Sequence, residues 1–284
     1  MKSRFTLSLK ALFVILLFDI LVSSCGSQTQ DENTAVADST SAIPKDTSNK
    51  THDFFYSLPS PLLMAKVFKK TGLKYMEGVA NAPENVAKYS SVHSKTLNLG
   101  VYSADLAYTV LNKQAQQASK YMESVKKLSD DLGMSSLFDT DDYLKRFKNN
   151  MNNEDSLINV VCQLKCEMDM FMKDNDKEKQ TLLIFIGAWI ENMYIATQLT
   201  KEANKEKVAS RVAEQKFILN SLMNVSVNFQ SDAEFKGLYV KLTDLKKLFD
   251  NLSVQGDDEK VMIDELQLKA ITEKTRDLRK EIVG

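Results

Sequence analysis

From residue 60 onward, apolar residues recur in steps of three and four. Ala118, Tyr121, Val125, Leu128 and Leu132 keep that spacing until Gly133 interrupts it. Leu238, Leu242, Leu245, Phe249 and Leu252 repeat it, as do Leu268, Ile271, Thr275, Leu278 and Ile282. Such steps put side chains on one face of a 3.6-residue helix. No stretch of comparable length alternates with period two; Val225–Phe229 is too short to count. All four prolines lie at 44, 59, 61 and 83, so the 201 residues that follow lack the residue most disruptive to a helix.

The pattern predicts helices over 61–71, 84–90, 92–111, 114–132, 141–151, 154–174, 178–200, 204–227, 231–252 and 258–283. Ser60 is placed to cap the first, with Pro61 in its first turn. Residues 182–199 are apolar almost all round, which predicts the central helix. Gly100 and Gly187 fall inside predicted helices, where glycine costs about 1 kcal/mol, and close approach of another helix is the reason expected. The fold class is therefore all-α, an irregular multi-helix bundle. A short tetratricopeptide-like α-solenoid is the alternative, because Leu99-Gly100 and Leu132-Gly133 stand 33 residues apart. The other signature positions of that repeat do not match.

The N-terminal segment differs in kind. Lys2, Arg4 and Lys10 precede the apolar run Ala11–Phe18, and Leu21-Val22-Ser23-Ser24-Cys25 has the form of a lipobox. Residues 1–24 read as a secretory signal, with Cys25 as the site of lipidation. Residues 25–52 are poor in large apolar side chains and read as a lipidated, unstructured tether. Residues 53–284 read as one helical domain. A membrane is then reached through the lipid alone, because the most apolar run elsewhere, Leu182–Ile190, spans nine residues and a crossing helix needs about twenty.

Charge narrows the classes of partner. The whole chain carries a formal −1, and loss of residues 1–24 removes three cations and one anion, leaving −3. That balance offers nucleic acid no attraction. There is no Gly-x-Ser-x-Gly, His-Glu-x-x-His, phosphate-binding loop or dinucleotide fingerprint, so an enzyme is not the expected reading and no cofactor is implied.

Three groups of residues carry candidate chemistry. Asn98, Tyr102, Asp105 and Thr109 form a polar stripe on a helix whose other face is apolar, and Glu191 lies within Trp189-Ile-Glu-Asn-Met-Tyr194. A carboxylate on a buried helix is costly unless paired, so Asp105 and Glu191, with Tyr102 and Asn98, are the candidate binding residues. The alternative is a buried structural pair, with Lys95 as a possible partner. Cys162, Cys166 and Met170 stand at i, i+4 and i+8. Soft sulfur ligands suit copper(I), but Cys and Met also serve as ordinary core residues, which is the expected role. The only histidines are His52 and His93; His93 is expected at the surface or in a cap.

Ser60-Pro61, Leu97-Asn98-Leu99-Gly100-Val101-Tyr102, Ala104-Asp105-Leu106-Ala107-Tyr108, Val125-Lys-Lys-Leu128 and Gly187-Ala-Trp-Ile-Glu191 resemble an uncharacterised all-helical lipoprotein family of Bacteroidota. Asp31-Glu32 and Asp38-Ser39-Thr40 in the tether are similar to export and O-glycosylation motifs of those bacteria. The resemblance implies a helical domain in the cell envelope, at the outer membrane, and carries over no catalytic residue. The expected function is protein binding or scaffolding for an envelope partner. The alternative is a small-ligand or metal-binding lipoprotein with a helix-lined pocket.

Overall fold

The computed structural model describes residues 59–139, 142–256 and 259–284, all within one compact unit spanning 43–284. The signal segment, Cys25, the tether and His52 lie outside the described residues. The chain is an all-α multi-helix bundle. Its helices are α1 (Pro61–Lys69), α2 (Val92–Leu111), α3 (Ala115–Asp131), α4 (Ser136–Asp139), α5 (Tyr143–Asn149), α6 (Glu154–Asp174), α7 (Glu178–Gln198), α8 (Lys205–Ser226), α9 (Phe235–Asp250) and α10 (Glu265–Val283).

Helix starts follow local chemistry. The Ser60 hydroxyl accepts from Leu63 N–H at 3.1 Å, with Pro61 just inside the helix. Asn153 caps α6 by accepting from Ser156 N–H at 3.0 Å. Asp264 and Gln267 bond reciprocally at the start of α10, which satisfies two otherwise unpaired donors. Gly133 ends α3 in the left-handed region at φ 79°.

Several elements differ from the expectations. Residues 83–88 form a 3-10 helix rather than an α-helix. The short α4 was not foreseen. The last helix begins at 265, because Ser253–Gln255 (β1) and Lys260–Met262 (β2) pair as a small antiparallel hairpin, with Val254 opposite Val261. Three-residue strands are too short to show period two, and only Val261 among them is buried.

Two helices run through the middle. In α2 every residue from Thr96 to Leu111 except Ser103 is buried, and α7 is buried nearly all round, as its composition predicts. Two cores share α2. Leu97, Val101, Ala104 and Tyr108 pack with α1, α7, α8, α9 and α10; Leu99, Tyr102, Leu106 and Val110 pack with α3, α4, α5 and α6. The α2–α7 pair is the most extensive helix contact, although the two are far apart in sequence. That pairing excludes a solenoid, in which each unit packs on its sequence neighbours. Gly100 and Gly133 also do different work, one inside a helix contact and one in a turn.

The α2–α7 contact is backbone on backbone. A Cβ on Gly100 would lie 2.0 Å from the Ile184 carbonyl oxygen, and one on Gly187 would lie 2.0 Å from that of Leu97. Each glycine faces the other helix, so neither tolerates a side chain. Leu111 and Ile195 line a common cleft further along, so the two helices run in the same direction. Gly100→Ala or Gly187→Ala must push the helices apart. Each should cost about 3 kcal/mol or more, a fall in Tm of roughly 6–12 °C for a domain of this size. Gly237 sits on α9 with open space around it, so Gly237→Ala should be neutral or stabilise by up to about 1 kcal/mol. Thermal unfolding of the three variants side by side checks this.

Candidate functional site

The α2–α7 contact brings Asp105 and Glu191 together one turn beyond the glycines. Both are fully buried. The two carboxyl groups are close enough to interact directly, and two adjacent buried carboxylates do not both stay ionised. Burial first, and then the neighbouring Glu191 charge, push Asp105 well above the usual carboxylate range. Burial lifts Glu191 too, but Arg279 first, and then the neighbouring Asp105, oppose that. The proton therefore resides on Asp105. A proton there also accounts for Oδ1, which meets no donor.

Arg279, from α10, completes the cluster. Its Nε and Nη2 donate to the Glu191 carboxylate at 2.9 and 3.1 Å, and its guanidinium lies 4.4 Å from the centre of the Tyr194 ring. Burial works against the charge of Arg279, yet Glu191 outweighs it and holds the guanidinium protonated. Protonated Asp105, ionised Glu191 and cationic Arg279 sum to zero charge, the arrangement a low-dielectric interior tolerates best. Lys95 is not the partner; it pairs with Asp131 at 3.2 Å.

The remaining polar stripe of α2 straps neighbouring segments to this cluster. The Tyr102 hydroxyl donates to Ala82 O at 2.9 Å, and Asn81 N–H donates to Asp105 Oδ2 at 3.2 Å. Tyr89 O–H accepts from Asn81 Nδ2 at 2.8 Å and faces Val283 O at 3.3 Å. Asn98 Nδ2 donates to Ser94 O at 2.9 Å and to Ile282 O at 2.8 Å. Tyr102 is buried, and burial pushes its hydroxyl far up, so it stays a neutral donor. Thus the 80–82 loop and the end of α10 are both fixed to the α2–α7 floor.

Between them lies a cleft of about 400 Å³, lined by Asn81, Asn85, Tyr194, Arg276, Arg279 and Lys280 among others. Arg279 bridges the two levels: its Nε and Nη2 edge is bound to Glu191, and the residue also lines the cleft. Arg276 and Lys280 are exposed and form no ion pair among the described residues. The carbonyl end of α10 also faces this region, equivalent to roughly half a negative charge. Two of its carbonyls are already occupied by Asn98 and Tyr89, and Arg279 is balanced by Glu191, so Arg276 and Lys280 supply the remaining positive charge beside Gly284 at the end of the helix.

Of the candidate residues, Asp105, Glu191, Tyr102 and Asn98 thus belong to one network, but as its floor and struts. The cleft itself presents residues that were not singled out. Arg279 had a faint signal: it falls on the line Ile271, Thr275, Arg279, along the buried face of α10. Asn81 and Tyr89 had none, since their roles depend on where a loop lands.

The sulfur residues divide. Met168 and Met172 are buried, as expected of core residues. Cys162 and Cys166 are exposed free thiols, and Met170 is 60% exposed, which corrects the expectation that they pack in the core. The imidazole of His93 is half-buried, with Nδ1 lacking a partner, and burial lowers its affinity for a proton. Comparison of the chain with protein-family models, curated proteins and solved structures finds no significant match.

Removing Arg279 strands the Glu191 charge. Arg279→Met should lose about 3–5 kcal/mol in urea unfolding, whereas Glu191→Leu combined with Arg279→Met should lose far less than the two single changes added together. Simple additivity would break the assignment. The proton on Asp105 predicts a pH effect of definite sign. Above the ordinary aspartate range the unfolded chain has released a proton that the folded protein keeps. This contribution to stability is therefore full at low pH and declines as pH rises through the raised folded value. Asp105→Asn should flatten that decline, as read from Tm against pH.

Proposed function

We propose that this protein binds a small anionic molecule, a carboxylate or phosphate ester, in the cleft between the 80–85 segment and α10, while tethered to a membrane by lipid on Cys25. The observation that carries the reading is the convergence of Arg276, Arg279 and Lys280 on one cleft of about 400 Å³, within the range of small-molecule sites. Arginine suits a planar or tetrahedral oxyanion because its fork donates two parallel hydrogen bonds. Asn85 and the Tyr194 hydroxyl supply further polar groups for orientation. The Asp105–Glu191–Arg279 cluster holds the central guanidinium in place before ligand arrives, which lowers the cost of binding.

Anchoring at the cell envelope belongs to the same proposal. It rests on the lipobox and the tether composition, and among the described residues no helix is long and apolar enough to cross a membrane. Cys25→Ser should move the protein from the membrane fraction to the soluble fraction and abolish incorporation of labelled palmitate. A protein partner is the second reading. Its best support is the exposed apolar trio Val254, Met262 and Leu266, at 44%, 37% and 78% exposure, around the hairpin.

The test of the cleft is a thermal-shift screen with inorganic phosphate, sugar phosphates, and mono- and dicarboxylates. A ligand present at 100 times its Kd adds about 2.7 kcal/mol, or roughly 5–10 °C in Tm. Arg276→Gln with Lys280→Gln should remove the shift and leave the unliganded Tm nearly unchanged, because both side chains are exposed. If no member of either class raises Tm, or the double variant responds like the parent, the reading is wrong.

A further inference from the structure

A groove of about 300 Å³ runs between the start of α1, α2, α6 and α7. It is remote in the fold from the cationic cleft and shares no lining residue with it. Its walls are mostly aliphatic, including Leu106, Leu164 and Ile184, but four sulfur side chains also line it: Cys162, Cys166, Met168 and Met172. All four come from α6.

Packing does not explain the two cysteines, since both are exposed free thiols. They stand at i and i+4 on one helix, where Cβ atoms lie about 5–6 Å apart, so one ion can sit between their sulfurs. A bound cation would remove the repulsion between two adjacent thiolates. Among the described residues no group of three or more His, Cys, Asp or Glu side chains could hold a metal ion. That argues against zinc, which takes four such ligands in a structural site. Copper(I) differs: soft thiolates select it, and two of them suffice, with thioethers as available additions.

We propose that Cys162 and Cys166 form a binding site for a single copper(I) ion at the mouth of this groove, with Met168 and Met172 as the sulfur-rich wall behind it. Binding takes the thiol protons into solvent and leaves copper in the same oxidation state, so no electron is transferred.

The experiment uses the full chain carrying Cys25→Ser, which removes its one other thiol, reduced and kept anaerobic. Copper(I) is titrated in competition with bicinchoninate, and zinc(II) is titrated separately. One copper(I) per chain is expected, with at least 100-fold weaker binding in both Cys162→Ser and Cys166→Ser and far weaker binding of zinc(II). Exposed positions tolerate serine, and circular dichroism verifies that the variants fold. Equal copper(I) binding in the double serine variant would overturn the proposal, as would no competition with bicinchoninate, or zinc(II) bound as tightly as copper(I).

Discussion

Two helices distant in sequence touch through their backbones, and the interior is arranged around that contact. Gly100 and Gly187 let α2 and α7 approach until a single Cβ on either would collide with the carbonyl oxygen opposite. Few other residues could allow this, because the missing side chain is what makes room. The cost of glycine within a helix, about 1 kcal/mol each, is offset by dispersion contacts along a long interface. With α2 and α7 so close, both become buried nearly all round, and the other helices fall into two cores on either side of α2.

The same proximity creates the polar cluster. Asp105 lies five residues beyond Gly100, and Glu191 four residues beyond Gly187, so helices running in the same direction bring the two carboxyl groups into contact. In a dry interior two like charges cannot both persist, so one carboxyl keeps its proton. The other needs a cation, and α10 delivers Arg279. A trio without net charge, in which Glu191 and Arg279 are hydrogen-bonded, then replaces three separate desolvation penalties. Tyr89, Asn98 and Tyr102 extend the network to the 80–82 loop and the last carbonyls of α10. The walls of the cationic cleft are thereby fixed by bonds to the core rather than by surface contacts.

A site built this way has a rigid floor and an exposed rim. The rim residues Arg276 and Lys280 are exposed, whereas Arg279 is held by its bonds to Glu191. The sulfur groove is constructed differently. Its sulfur residues all come from one helix, α6, whose methionines are buried in the second core while its cysteines are exposed. The two features share no residue, and neither requires the other.

Much of the architecture was legible from residue spacing. Leu238, Leu242, Leu245 and Phe249 are all buried on α9, and Ser60, Pro61 and Gly133 mark helix ends as their local chemistry dictates. These are properties of a few neighbouring residues, and helix periodicity reports them directly. The glycines at 100 and 187 signalled a close helix contact, and the costly carboxylates at 105 and 191 signalled burial with a partner. What spacing could not supply was the pairing itself. That Gly100 meets α7, that Asp105 lies beside Glu191, that the cation is Arg279 rather than Lys95, and that Cys162 faces solvent while Met168 does not are all decided by packing. Each depends on which surfaces are apolar enough to exclude water against each other, a property of the whole chain that no local pattern contains.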